Sequence, residues 1–242
     1  MIKPVRVDFM RGVLIGGYFG FSVAAAVLFA GASARADGAP TAPPVQRGFE
    51  IALRVGYAPP YGRTDRSHDR LAADLTGQLG FSVDVGYRIN ERVYAGVFGH
   101  YGLVFPACYD EYIAGTCTGF DLRAGVAVQV HLWPRGPIDP WVGVGLGYEY
   151  LRWDLDGYFI DNQHSSSSRR FYGFEFGSIQ IGADYRVGRH LGIGPFFALT
   201  VAQFTHYDAA FANNGSPYHL ADDTGDSAHG WVFFGMHAVY DL

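Results

Sequence analysis

Eight stretches of this chain alternate, residue by residue, between apolar side chains and small, polar or charged ones. A period of two places successive side chains on opposite faces of an extended strand, so each stretch presents one face to an apolar medium and the other to polar groups. The first, Phe49 to Ala58, sets Phe49, Ile51, Leu53, Val55 and Tyr57 against Glu50, Ala52, Arg54 and Gly56. The same division recurs over Gln78–Arg88, Val93–Val104, Gly119–Trp133, Trp141–Tyr150, Phe174–Arg186, Leu191–Phe204 and Trp231–Leu242. Pro195, within the seventh, has no amide proton and requires a local break in the hydrogen-bond ladder. The eighth carries Val232, Phe234, Met236, Ala238, Tyr240 and Leu242 on one face and Phe233, Gly235, His237 and Asp241 on the other. Its open edge needs a partner, and the first strand of the same chain can supply one, which closes a barrel.

The connections alternate in length. Ile89–Arg92, Pro134–Pro140 and Val187–His190 read as tight turns, whereas Pro59–Gly77, Phe105–Thr118, Leu151–Tyr172 and Thr205–Gly230 are long and hold Pro, Ser, Asn, Asp and His. The pattern predicts an all-β fold: an eight-stranded antiparallel up-and-down transmembrane β-barrel with short periplasmic turns and long extracellular loops. A soluble barrel or sandwich is the alternative. It would bury its apolar side chains inside and leave the Arg-and-Asp face outside. Tyr87, Trp133, Tyr185 and Tyr240 all fall at the turn end of a strand, where an interfacial aromatic girdle belongs. Tyr87–Gly96 also matches Tyr185–Gly194 in register, 98 residues apart, as duplicated hairpins or as two hairpins under one membrane constraint.

The start of the chain sets the compartment. Met1–Arg11 carries Lys3, Arg6 and Arg11 against Asp8, an apolar run follows from Gly12 to about Ala30, and Ala34-Arg35-Ala36 closes the segment. Basic head, apolar centre and A-x-A end predict a secretory signal peptide over residues 1–36; an uncleaved inner-membrane helix is the alternative. Residues 37–47 read as a flexible lead-in, and 48–242 as the barrel domain. No later apolar run reaches the length of a membrane-crossing helix. Cleavage takes the 18 basic and 23 acidic residues down by four and one, to 14 and 22, a net charge near −8. Such a balance argues against nucleic acid as a partner, since that binding relies on a basic surface.

These patterns resemble the small eight-stranded outer-membrane barrels of Gram-negative bacteria, of the OmpA-barrel, OmpX and OmpW type, over about Phe49–Leu242. The resemblance implies a place in the cell outer membrane, contact with outer-membrane lipid and a monomeric, porin-like architecture. It also implies handling by the barrel-assembly machinery, which reads an alternating final strand ending in an aromatic residue. Tyr240, Ala238, Met236 and Phe234 fit that pattern, and Leu242 stands where the aromatic residue usually does. The implied function is structural or adhesive at the surface, or narrow-path permeation of small molecules. No peptidoglycan-binding domain follows the barrel in this sequence.

Glu50, Arg54, Asp84, Arg88, Asp121, Arg123, Glu149, Asp184, Arg186 and His237 all fall on inward faces. The interior of an eight-stranded barrel is just wide enough for side chains to fill, and an unpaired buried charge costs several kcal/mol. A network of ion pairs filling the lumen is therefore expected, with a transport path lined by the same residues as the alternative. Gly143, Gly145 and Gly147 make room for long side chains crossing the lumen, and lack the helix and acidic residue of a dinucleotide site.

Cys108 and Cys117, the only cysteines, share one long connection in an oxidising compartment, so a disulfide is expected over free thiols or metal binding. Closing so short a loop stabilises by about 2.5 to 3 kcal/mol in the chain-entropy account. His68, His164, His206, His219 and His229 fall in long connections near Asp69, Asp161, Asp208 and Asp222, at spacings that match no defined metal site. Ser165–Ser168 beside His164 reads as a flexible loop tip, not as a hydrolase nucleophile. No catalytic residue, metal or cofactor is expected. The rival class is an outer-membrane enzyme that modifies lipid.

Overall fold

Ten strands and one short helix follow in the order β1 (Gly48–Ala58), β2 (Pro60–Gly62), α1 (Leu71–Asp74), β3 (Leu75–Arg88), β4 (Val93–Pro106), β5 (Tyr112–His131), β6 (Ile138–Phe159), β7 (His164–Val187), β8 (Leu191–Asn213), β9 (Ser216–Asp222) and β10 (Ser227–Asp241). The computed structural model describes residues 47–63, 70–107, 112–159, 164–188, 190–213, 216–222 and 227–242. The expected signal peptide, nearly all of the lead-in, His68 and Cys108 lie outside the described residues.

Eight strands form an antiparallel ring in the order β1, β3, β4, β5, β6, β7, β8, β10, while β2 extends along β10 and β9 folds back on β8. β10 pairs with β8 on one side and with β1 on the other, from Glu50 opposite Asp241 to Tyr57 opposite Phe234. Closure satisfies the ladder without an edge, which a structure surrounded by lipid requires. The facing follows the alternation in the chain. Leu53, Val97, Val144 and Ile179 point outward and are more than half exposed, whereas Ala52, Asp84, Gln129 and Asp184 are nearly fully buried. Tyr87, Trp133, Tyr185 and Tyr240 form the outward aromatic ring at the turn end.

The strands run further than the alternation predicts. Much of Phe105–Thr118, Leu151–Tyr172 and Thr205–Gly230, expected as loop, continues the ladder: Leu151 pairs with Phe171, Asp156 with Ser166 and Ser167 with Phe211. The four serines are part of β7 and not a loop tip. At about 3.3 Å per residue and a tilt of about 40°, the 24 residues of β7 rise roughly 60 Å. An apolar band is only about 25 Å tall, so such strands must project beyond it.

Polarity shows where the crossing ends. Up to Tyr150 the outward side chains of β6 are apolar or aromatic; beyond it Arg152, Asp154 and Asp156 point outward while Leu151, Trp153 and Leu155 turn inward and are buried. Outside the bilayer the surrounding medium is water, so the wall takes on the facing of a soluble sheet. The change of facing erased the lipid-side signal by which strands were recognised.

Of the irregularities in the ladder, two bear on the inward faces of the crossing. The β7–β8 ladder omits Ala183 and Asp184 opposite Pro195 and Gly194 while keeping its register, as a missing amide proton demands. A bulge between Glu175 and Gly177 makes Phe174 and Phe176 both outward with Glu175 inward, and shifts the inward count to Ser178 beyond it.

Candidate functional site

The ring encloses side chains in layers. Nearest the periplasmic turns, Arg88 donates to Glu50 from Nε at 2.9 Å and Nη2 at 2.6 Å, and its Nη2 lies 3.9 Å from Asp241. Arg186 donates to Asp241 at 2.6 Å and stands 3.6 Å from Asp139, which is 2.8 Å from Nδ1 of His131. These contacts tie together β1, β3, β5, β6, β7 and β10.

In the middle layer Arg54 donates to Gln180 at 2.7 Å and lies 3.3 Å from Asp84, with Trp141 and Phe196 flanking its guanidinium. His237 contacts Asp184 at 2.9 Å. Above it, Arg123 pairs with Asp121 at 2.9 Å and with Glu175 at 3.6 Å, and its Nη2 donates to Nε2 of His100 at 3.0 Å. His100 therefore holds its proton on Nδ1 and donates to Oγ of Ser82 at 2.7 Å, as a neutral ring. Gln78 donates to the other side of the layer, onto Asp121 at 3.0 Å.

Glu149 stands at the boundary to an apolar layer. It accepts from Nε1 of Trp231 at 2.8 Å and contacts Nε2 of His229 at 2.9 Å. His229 stacks on Phe204 with ring centroids 3.6 Å apart, Phe204 meets Phe171 at 4.9 Å, and Phe171 stacks on Trp153 at 4.8 Å. Leu71 of α1, Leu75, Leu151 and Val104 belong to the same buried cluster, which continues down to Trp141 and Phe196, with Cys117 and Tyr207 packed against it. Each large side chain so buried contributes roughly 1.5 to 3 kcal/mol. The interior thus carries most of its charged pairs toward the periplasm, with Trp141 and Phe196 among them, and its aromatic stack toward the outside.

All ten inward residues chosen from the sequence line this interior, in pairings the sequence did not show: Glu149 meets His229 and Trp231, and Arg186 meets Asp241 and Asp139. His229 falls in the connection expected over Thr205–Gly230. It is buried because β10 begins at Ser227, three residues before the expected connection ends. Glu175 was missed because the bulge shifts the parity counted back from Gln180; the adjacent Phe174 and Phe176 are the signal that could have found it. His100 and His131 lie on inward positions of recognised strands. Asp139 falls in the expected turn Pro134–Pro140, and Leu71, Leu75, Leu151, Trp153 and Phe171 of the apolar layer fall in expected loops, whereas Val104 and Phe204 end expected strands.

Outside the crossing, hydrogen bonds from Arg135 at 2.7 and 3.0 Å hold the exposed Glu91 carboxyl below its ordinary range, and the same contact raises Arg135. This pair joins two periplasmic turns. On the extracellular extension Asp154 holds the Arg152 guanidinium above its ordinary value. His164 contacts Asp156 at 2.7 Å. A hollow of about 280 Å³ beside Asp154, Asp156 and Ser166–Ser168 is smaller than the ~300 Å³ at which small-molecule sites begin, and no group of metal-binding residues is found among the described residues.

Solved structures similar to this chain include outer-membrane proteins. A major outer-membrane protein of Thermus thermophilus aligns with a TM-score of 0.55 at 12% identity, over 81% of this chain and 100% of the other. Neisserial surface protein A aligns at 0.48 and 12%, covering 81% and 99%. OprG of Pseudomonas aeruginosa aligns at 0.42 and 11%, covering 81% and 98%. The Thermus likeness carries the fold alone. No curated protein matches the chain. The family described as outer membrane protein beta-barrel domain matches residues 22–233, most of the chain. This protein belongs to the outer membrane protein beta-barrel domain family and resides in the cell outer membrane.

Proposed function

We propose that this protein is a closed, non-enzymatic barrel that acts at the cell surface through the sheet standing above its aromatic rim. The observation that carries the reading is the filled interior, in which ionic layers from Glu50 to Glu149 lie in series with the aromatic layer of Phe204, Phe171 and Trp153. Conduction would require both kinds of layer to part. What remains to present is the extension of β6 to β8, with acidic, serine and arginine side chains outward. Export by cleavage after Ala36, assembly through the final strand Trp231–Leu242, a monomeric state and a Cys108–Cys117 disulfide belong to the same reading. Cys117 supports the last, since it packs against the buried cluster where a cross-link would brace the top of β5.

Purified protein in a planar bilayer is expected to show no steady porin-sized current. Large steady currents from the unaltered protein would give the transport reading first place. Lipid hydrolysis or acyl transfer by the same preparation, abolished by a serine or histidine substitution, would instead make it an enzyme.

A further inference from the structure

On the outward face of the extension, Arg152 of β6 stands directly opposite Arg170 of β7. Cross-strand neighbours have Cβ atoms about 5 Å apart, and like charges in that position repel. Immediately toward the bilayer lie Tyr150 and Tyr172, also opposite each other, with ring centroids 4.8 Å apart; Phe120 meets Tyr150 at 5.6 Å. The arginines therefore sit one step above the Tyr150–Tyr172 pair, in the row of Phe120, which stands opposite Arg152 on β5 at the outer edge of the lipid-facing band, the level of head groups.

Each arginine is only partly neutralised. Asp154 takes the Nε and Nη2 donors of Arg152, at 2.9 to 3.2 Å, on the side away from the bilayer. Arg170 approaches Asp208 through Nη1 at 3.6 Å. Both guanidinium side chains remain about a third or more exposed, 32% and 40%. Exposed pairs of this kind are weak, too weak to account for placing two arginines face to face.

We propose that Arg152 and Arg170 clamp the phosphate of an outer-leaflet lipid, with Tyr150, Tyr172 and Phe120 as the ledge for the adjoining part of that lipid. Planar guanidinium groups present paired N–H donors that match phosphate oxygens, and an anion between the two removes their mutual repulsion. The source is lipid phosphate and not free phosphate because the site continues the membrane-facing band without interruption. Whether the lumen conducts does not bear on it.

The test uses purified full-length protein in phosphatidylcholine vesicles containing either a bisphosphorylated glycolipid or its dephosphorylated counterpart, with retained lipid read by native mass spectrometry after extraction. The unaltered protein is expected to retain the phosphorylated form preferentially. The Arg152→Gln, Arg170→Gln double variant should lose that preference on the order of ten-fold, the weight of about one charge-assisted hydrogen bond. Its unboiled gel migration should be unchanged. Asp154→Asn with Asp208→Asn should raise retention by freeing the guanidinium groups. Equal retention of both lipids, an unaffected arginine variant, or a fall with the aspartate variant would each overturn the proposal. Complete displacement by millimolar inorganic phosphate would overturn the assignment to lipid.

Discussion

Arg88 donates from both Nε and Nη2 to one carboxylate oxygen of Glu50, joining β3 to β1 inside the ring. Both side chains are almost completely buried. Removing one partner of such a pair leaves an uncompensated charge, at a cost of about 3 to 5 kcal/mol, whereas removing both charges is far cheaper. Arg88→Met should therefore be strongly destabilising, and Glu50→Gln combined with Arg88→Met should recover most of the loss. Urea unfolding from lipid vesicles, followed by gel migration, measures both; strictly additive losses would mean that the pair does not act as a unit.

The position of the apolar band along β5 is open to a depth test. Val128 and Thr118 both point outward, Val128 within the band and Thr118 above it, opposite Asp154. Val128→Arg should cost roughly 2 to 4 kcal/mol, as a lipid-facing charge near the midplane does, and Thr118→Arg about 0 to 1. Folding titrations that rank them equally would displace the band.

The ionic and aromatic layers are expected to act in series. Arg88→Met leaves the aromatic layer in place and should stay non-conducting in a planar bilayer. Phe171→Ala removes a ring held among Trp153, Phe204 and Tyr207, at about 3 to 5 kcal/mol, but leaves the ionic layers. Frequent openings are expected only when the two changes are combined, and steady current from Arg88→Met alone would locate the whole barrier in the charges.

Two glycines of the crossing should respond oppositely to a methyl group. A Cβ at Gly99 meets nothing within 4 Å, so Gly99→Ala should be close to neutral. At Gly125 it would collide with the Leu146 carbonyl oxygen and come within 2.7 Å of the Phe98 ring, where overpacking costs about 1 to 3 kcal/mol. Thermal midpoints of the unboiled form in detergent gels would separate the two, and a stable Gly125→Ala would mean that the β5–β6 backbone can part at Leu146 as well as Phe98 moving aside.

Much of this molecule was legible in the order of its residues. Facing is a two-residue property, so Leu53 beside Arg54, or Val128 beside Gln129, already declares which side meets lipid. The hairpin turn at Ile89–Arg92 was legible for a similar local reason, since Asn90 accepts from the amides of Arg92 and Val93 at 2.8 and 2.9 Å, whereas the turn expected over Pro134–Pro140 gives way to β6 at Ile138. The upper wall was not legible, because Trp153 and Asp154 alternate as they would in a soluble sheet and carry no lipid signal. Glu175 was hidden by a single bulge. The charge pairings depended on the closed ring alone: Arg54 and Gln180 are 126 positions apart, and Trp231 and Glu149 82. Such neighbours are set by the stagger and tilt with which eight strands close, quantities that no local pattern of residues contains.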